Sequence, residues 1–152
     1  MPLKAKNISK LSARDYSVFL LSLNLQSEGQ LREKLSKKKF LPADIDDAIS
    51  YLKELRYLND KEFGRIYFEN LKKYKNFGFY GIKKKLHERK LAPALIEKLM
   101  RDFSVKDEVE IAMRLLTKYK TKTPEQRTRA LLSRGFRNET IFKATKKDPE
   151  ID

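Results

Sequence analysis

The chain has 152 residues, and its 35 lysines and arginines against 21 acidic residues give a formal net charge of +14. Hydrophobic residues make up 40% of it, which is enough for a folded core and excludes a disordered basic tail. The absence of cysteine excludes disulfides, thiolate metal sites and cysteine nucleophiles, as suits a reducing cytoplasm. The basic excess favours nucleic acid or an acidic protein as partner.

A membrane segment is not expected. The N-terminus "MPLKAKNISK" has no apolar signal core, and the longest apolar run, "VFLLSLNL" from Val18, is far shorter than the roughly 20 residues that span a bilayer. We therefore expect a soluble, cytoplasmic protein.

Helical spacing of apolar residues dominates the chain, and no convincing strand alternation appears. Five amphipathic helices are predicted from stripes that comprise, in chain order, Tyr16, Phe19, Leu20 and Leu23; Ile45, Ala48, Ile49, Leu52 and Leu55; Phe63, Ile66, Tyr67, Asn70, Leu71 and Tyr74; Leu95, Ile96, Leu99, Met100 and Phe103; and Val105, Val109, Ala112, Met113 and Leu116. Helix starts are predicted at Ser27, Asn59 and Thr123, the first two as capping boxes with Gln30 and Glu62. Tyr74 lies on an apolar stripe and is expected in the core.

The sequence repeats itself. Six residues recur 51 positions later, from Leu31, Leu35, Phe40, Pro42, Ile45 and Ile49 to Ile82, Leu86, Leu91, Pro93, Ile96 and Met100. A weaker third copy lies 96 positions after the first, with Leu131, Phe136 and Ile141 in place of Leu35, Phe40 and Ile45. Arg127, Asn138 and Thr145 replace the other apolar and proline positions of that copy.

These copies predict an all-α protein of tandem three-helix repeats stacked into an elongated, curved array, because a unit of this size cannot bury enough surface alone. The predicted divisions are an N-terminal segment and helix at 1–26, repeat 1 at 27–76, repeat 2 at 77–121, and a partial repeat 3 with tail at 122–152. The alternative is one compact helical bundle whose internal similarity reflects common helix patterns.

Positive charge concentrates on the first helix of each repeat. The net charge is +6 over residues 1–40 and +5 over 77–101, but zero over 41–76. A line of cations suits phosphates or acidic side chains, although such runs are often merely solvated faces. The candidate contact residues are Lys37, Lys38, Lys39, Lys83, Lys84, Lys85, Arg89, Lys90, Arg134 and Arg137, with Arg32, Lys34, Arg127 and Arg129 in the same basic segments.

Three signals for catalysis or ligand binding are weak. Asp44, Asp46 and Asp47 stand in a first helical turn, where acids favour the helix dipole, and no calcium-loop glycine accompanies them. His87 is the only histidine and has no catalytic or metal-binding companion, so a surface side chain is expected. Gly78 and Gly81 fit a helix-start turn. We expect no enzyme activity, cofactor or metal.

The chain resembles the RecX family, bacterial modulators of the recombinase RecA. The resemblance rests on "SEGQLREKL" from Ser27, "YLKELRYLNDKEFGRIYFENL" from Tyr51, "GIKKKLHERKLAPALIEKL" from Gly81 and "LLSRGF" from Leu131, in this order and spacing. The chain departs from the family at "NLQS" before the first block and at Asn59, where relatives usually have an acid.

The resemblance implies tandem three-helix repeats that bind along the groove of the RecA filament on single-stranded DNA. It also implies restraint of the filament's ATPase, strand-exchange and coprotease activities, and hence a role in recombination, DNA repair and the SOS response. We expect a monomer whose partners are this filament and single-stranded or duplex DNA bound with RecA. The alternatives are a stand-alone basic nucleic-acid-binding helical protein and a scaffold whose charge only maintains solubility.

Overall fold

The computed structural model describes residues 10–147, with the side chain of the last residue left out. Within this range the secondary structure is entirely helical. The helices are α1 (Ala13–Leu23), α2 (Glu28–Lys37), α3 (Pro42–Glu54), α4 (Asp60–Lys73), α5 (Phe79–Glu88), α6 (Pro93–Met100), α7 (Val105–Leu116), α8 (Pro124–Ser133) and α9 (Asn138–Lys147), with a short 3-10 helix at Thr117–Tyr119.

The helices confirm the repeat pattern. Helices α2, α5 and α8 each have ten residues and begin at positions separated by the offsets of the sequence repeat. The first residues of α3, α6 and α9 are separated by the same offsets. The turn after the first helix of each repeat holds a residue with positive φ at the same position, namely Lys39 (66°), Lys90 (58°) and Gly135 (82°). The fold is therefore an array of helical repeats whose backbone recurs in the register that the sequence predicts.

Polar side chains cap the helix starts. Capping boxes are present at Ser27 with Gln30 and at Thr123 with Gln126, which confirms the first and third predicted starts. The Asn59 side chain accepts from the Glu62 backbone N–H, so the amide at this position still begins α4. Each cap pairs a backbone N–H that the helix itself leaves without a partner.

Between residues 10 and 147 the chain forms two compact units, the first of residues up to 63 with 89–91 and the second of residues 64–88 with those from 92 onward. In the first, α3 packs against α1 and α2. Its hydrophobic core is formed by Ala13, Leu20, Leu31, Leu35, Ile45, Ala48, Ile49, Leu52 and Leu58, with Tyr16, Phe19 and Phe40 packed against them.

In the second unit, α7 packs against α9, α5 against α6, and α8 against α9. The buried apolar residues include Phe68, Leu71, Ile82, Leu86, Ile96, Met100, Phe103, Val109, Ile111, Ala112, Leu115, Leu131, Phe136 and Ile141. The repeat positions are filled alike, because Leu35, Leu86 and Leu131 are all fully buried.

The prediction that Tyr74 lies in the core is wrong, since its side chain is 67% exposed. Helix α4 ends at Lys73, so Tyr74 lies beyond its last turn. The rest of the stripe is correct in part: Phe63 and Leu71 are buried, but Ile66 is exposed and Phe68, outside the predicted stripe, is buried. At the ends of their helices, Leu23 and Leu55 are exposed as well.

Candidate partner-binding surface

Each repeat has a basic residue immediately after the last residue of its first helix. These residues are Lys38, Arg89 and Arg134, and they are followed by the positive-φ residues of the three turns. Cations here complement the negative end of the helix dipole, which gives them a structural role whatever else they contact. The surroundings of each group decide which of them is open to a partner.

The first group, Lys37 to Lys39, is exposed. Lys37 pairs with Glu33 at 3.1 Å, and the Lys38 ammonium lies 5.5 Å from the centre of the Tyr16 ring. Ion pairs this exposed are weak and exchange readily with water or a partner. Lys39 extends from the turn itself.

The second group lies on α5. Lys83 and Lys84 are exposed, whereas Lys85 is half-buried, pairs with Glu88 at 3.5 Å and lies 5.5 Å from the Phe77 ring centre. Lys83 and Lys84 lie between the fully buried Ile82 and Leu86 in the sequence and face away from the core. They are the cations of this group best placed for an outside partner.

Arg89 and Lys90 belong to the first unit and face an acid of that unit. The Lys90 ammonium is 2.9 Å from the Glu33 carboxylate, which also pairs with Lys37. Hydrogen bonds from Lys90 and then Lys37 lower the pKa of Glu33. The Arg89 guanidinium lies 5.9 Å from the centre of the Phe63 ring.

The Arg134 side chain binds backbone carbonyls of the connection between α4 and α5. Its Nε donates to the Asn76 carbonyl at 2.9 Å, its Nη2 donates to the Lys75 carbonyl, and its guanidinium lies 4.4 Å above the Phe77 ring. Arg127, which the sequence places among the basic segments, is buried and donates to the carbonyls of Tyr119 and Lys120. Its inclusion among solvated cations is wrong, because it fills the slot that Leu31 and Ile82 occupy in the other repeats.

Arg137 pairs with a buried acid that the sequence reasoning missed. Glu108 is fully buried, and its carboxylate accepts from Arg137 Nε at 2.9 Å, from the Phe79 backbone N–H at 2.5 Å and from the Thr140 hydroxyl. It therefore joins α7 to the starts of α5 and α9. Its position in the sequence indicates burial, because Glu108 lies three residues after Val105, on the apolar face of its helix.

An equivalent contact occurs at the start of α2 in the first unit. The Glu28 backbone N–H donates to Asp60 at 2.9 Å, and the Glu28 carboxylate pairs with Lys53 at 2.5 Å and Arg32 at 2.9 Å. Burial raises the pKa of Glu28, but the hydrogen bonds from Lys53 and Arg32 outweigh burial and lower it. Burial, followed by repulsion from Glu28, raises the pKa of Asp60.

The glycines of the α5 start allow a close backbone approach. The Gly78 N–H donates to the Arg134 carbonyl at 3.0 Å, and a Cβ on Gly81 would lie 2.2 Å from that same oxygen. In the first unit the Ser27 hydroxyl donates to the Arg89 carbonyl, at the corresponding positions of the repeat. The start of one repeat thus rests on the turn of the next, which fixes where Arg89 and Arg134 lie.

Of the three acidic residues considered for metal binding, two form ion pairs with arginines. Asp46 pairs with Arg32 at 2.7 Å and Asp47 with Arg14 at 2.7 Å, while Asp44 lies exposed in the first turn of α3. Over residues 10–147, no cluster of three or more potential ligands is arranged to hold a metal ion. In the same range, no helix has the length and hydropathy to cross a membrane. His87 is exposed.

Comparison with known proteins links this arrangement to one family. The family model described as "RecX, first three-helix domain" matches residues 13–52. A protein named "Regulatory protein RecX" from Haemophilus influenzae (strain ATCC 51907 / DSM 11121 / KW20 / Rd) is 31% identical over 136 residues, which cover 84% of this chain and 88% of that protein. Another with the same name, from Geobacillus sp. (strain WCH70), is 30% identical over 82% of this chain but 49% of its own length. This chain therefore spans about half of the Geobacillus protein.

The fold is also similar to solved structures. The crystal structure of RecX from Lactobacillus salivarius matches with a TM-score of 0.76 and 21% sequence identity, over 95% of this chain and 97% of that chain. A second crystal structure, described as regulatory protein RecX, matches with a TM-score of 0.75 and 16% identity. At these identities the likeness concerns the fold alone.

Proposed function

The chain belongs to the RecX family of regulatory proteins, and on that premise we propose that it modulates RecA, mainly as an inhibitor. It binds along the groove of the RecA filament on single-stranded DNA and restrains the ATPase, strand-exchange and coprotease activities. The supporting observation is the recurrence of exposed lysines on the first helices of the repeats, at Lys37 to Lys39 and at Lys83 to Lys84. A filament is itself a repeating partner, and recurring cations match recurring acidic groups.

The mechanism we propose is multivalent. Residues 27–76, 77–121 and 122–152 act as three repeat units, each of which makes weak contacts with acidic surfaces of the filament or with exposed phosphate. Linked weak contacts combine into strong binding, because the first contact raises the effective concentration of the next. Binding that favours one filament state shifts the filament toward that state and so lowers the activities of the other. The protein acts as a cytoplasmic monomer and needs no catalytic residue or cofactor of its own.

The contact residues differ in how freely they can take part. Lys38, Lys39, Lys83 and Lys84 rank first because they are exposed, and the exposed Lys37 follows because it pairs with Glu33. Lys85 pairs with Glu88, and Lys90 pairs with Glu33. Each of these ion pairs must break before the lysine can contact the filament. The guanidinium groups of Arg89, Arg134 and Arg137 lie over aromatic rings, so they contribute a fixed charge instead of a mobile one.

The first experiment compares binding of the purified protein to fluorescent single-stranded DNA, bare and coated with RecA and a slowly hydrolysed ATP analogue, at two salt concentrations. We expect much tighter binding to the coated strand and a lower RecA ATPase rate. Equal or preferential binding to the bare strand would contradict the proposal and identify a stand-alone nucleic-acid-binding protein.

A further inference from the structure

The second unit contains a groove that is lined in part by Lys83 and Arg137. It has a volume of about 730 Å³ and lies along α5 and α6, reaching Arg137 at the start of α9. Its floor is formed by Phe79, Ile96, Met100 and Phe103. Clefts of this size with an apolar floor and a few polar groups at the rim are the usual form of a binding site.

The floor of the groove consists largely of buried side chains. Ile96, Met100 and Phe103 are buried, and the Phe79 and Phe103 rings stack with centroids 6.2 Å apart and an angle of 7° between their planes. Phe103 also packs edge-on against Phe68. A thioether beside two aromatic rings adapts to the shape of an inserted apolar side chain while the rings hold the depth of the groove.

The rim of the groove is positively charged. Lys83, Arg101 and Arg137 line it as cations, against a single carboxylate, Glu97. Among the described residues, no ion pair is formed by Lys83 or Arg101, and both are exposed. The Arg137 guanidinium is held by Glu108 and lies 4.4 Å above the Phe79 ring, so its orientation is set before any ligand arrives.

A nucleic-acid base suits this groove less well than a side chain. A base needs an open aromatic face on which to stack. Here the two rings stack on each other, Phe103 is buried, and Arg137 lies over Phe79. What is left is an apolar floor with cations above it.

We infer that this groove binds a short segment of a partner protein in which one large apolar side chain stands beside carboxylates. The apolar side chain enters over Met100 and Phe103, and the carboxylates pair with Lys83 and Arg101, with Arg137 as a fixed donor. Charge complementarity and the apolar floor together select this chemistry. The inference rests on the proposed function, for which it supplies the kind of partner segment that the second repeat recognises.

The test uses the full chain, labelled with ¹⁵N, and a peptide of sequence Ser-Asp-Glu-Phe-Glu-Asp-Ser in an NMR titration. We expect shifts that cluster on α5, α6 and the start of α9. Replacing the acids of the peptide by their amides, or its phenylalanine by glycine, should each weaken binding by about tenfold. Equal binding of either control peptide would overturn the inference.

Charge reversal in the protein provides a matched comparison. Lys83→Glu with Arg101→Glu should weaken peptide binding by about tenfold or more. Lys98→Glu with Lys118→Glu makes the same change of charge at exposed positions of the second unit outside the groove lining, neither of them among the proposed filament contacts, and should change peptide binding by less than about threefold. Equal losses would show only non-specific attraction, and the inference would fail.

Two further results separate the possibilities. If oligodeoxythymidine shifts the groove resonances more strongly than the peptide does, the groove is a nucleic-acid site and the inference is wrong. Filament binding without any peptide shift would overturn the groove inference and leave the proposed function standing. Peptide binding to the groove in a protein that does not bind the RecA filament would contradict the proposed function and leave the groove inference standing.

Discussion

Among single residues of the second unit, the buried carboxylate of Glu108 joins three helices. Glu108 has no exposed surface, and its partners come from the start of α5 and from the turn and first helical turn at α9. A buried carboxylate is costly unless it is paired and hydrogen-bonded, and here it is both. Losing one side of such a pair costs more than the pair itself contributes.

Replacing Glu108 by Gln should therefore lower the free energy of unfolding by about 2–3 kcal/mol. The amide keeps an acceptor for Phe79 but leaves Arg137 without a carboxylate. Urea denaturation measures the loss. Glu110→Gln, an exposed position on the same helix, is the control and should change stability by less than about 0.5 kcal/mol. A loss below that value for Glu108→Gln would contradict the role assigned to this pair.

Arg127 shows how a basic residue replaces an apolar one in the third repeat. Its Nε and Nη2 donate to the carbonyls of Tyr119 and Lys120 at 2.9 and 2.7 Å. These carbonyls lie in and just after the 3-10 helix that precedes α8, where backbone acceptors lack helical partners. The long aliphatic part of the arginine fills the slot, while its head group satisfies the connection that is particular to this repeat.

At the scale of elements, the turn after each first helix determines how the repeats join. All three turns use a left-handed residue, but only Gly135 is a glycine. A Cβ on Gly135 would lie 2.0 Å from the Gly81 nitrogen, so the start of α5 could not pack this closely against the turn. At Lys39 the backbone has the same sign of φ with a full side chain, which is strained in this conformation.

We accordingly expect opposite effects of substitution at these equivalent turns. Gly135→Ala should lower the free energy of unfolding by at least about 2 kcal/mol, through the clash and the left-handed strain. Lys39→Gly should leave it unchanged or raise it by up to about 1 kcal/mol, because strain is relieved. Urea denaturation of both variants decides the matter, and equal losses would show that the turns do not play the roles described.

The start of α2 provides a pH-dependent contribution to stability. The folded pKa of Glu28 lies below its ordinary value of 4.5, so this group stabilises the protein above that pH. The contribution is lost as the pH falls through the lowered folded value. Asp60, whose pKa is raised, acts in the opposite direction, since its ionised form is the disfavoured one in the folded state.

Glu28→Gln should thus cost about 1 kcal/mol at pH 7, because the pairs with Lys53 and Arg32 are partly solvated. The difference from the unmodified protein should shrink between about pH 5 and pH 2. Urea denaturation as a function of pH measures it. A difference that stays constant across this range would mean that ionisation of Glu28 contributes nothing.

At the scale of the whole molecule, the net charge of +14 governs how the protein meets its partner. Attraction between a basic surface and an acidic partner speeds encounter and is screened by salt. Only part of this charge is available, since Arg14, Arg32, Lys53 and Arg137 are paired with acids of their own unit. Affinity should therefore depend on where the exposed lysines lie as well as on the total charge.

Exchanging Lys83, Lys84 and Lys85 for Gln should weaken filament binding by about tenfold while circular dichroism shows unchanged helix content. It should also reduce the steepness with which affinity falls as salt rises, since fewer counterions are released. Exchanging three other exposed lysines, Lys106, Lys118 and Lys120, removes the same charge and should have less than about a third of this effect. Equal effects of the two triple variants, or unchanged affinity of the first, would contradict the assignment.

The helices and the repeat could be predicted from the sequence alone, because helix starts and apolar periods depend on neighbours within a few residues. Ser27 with Gln30 and Thr123 with Gln126 are capping boxes in both sequence and structure, and the recurring leucines mark equivalent buried positions. The family could be recognised for the same reason, since these local signals recur in a fixed order.

Which charges are free and which helix faces are covered depends on how the helices pack. Arg137 looks like any other cation in the sequence, yet it holds Glu108, and Arg127 is buried at a position that is apolar in the first two repeats. Tyr74 shares the spacing of core residues but lies beyond the end of its helix. These outcomes depend on contacts between residues far apart in the chain, such as Arg137 with Glu108, and local periodicity carries no information about such contacts.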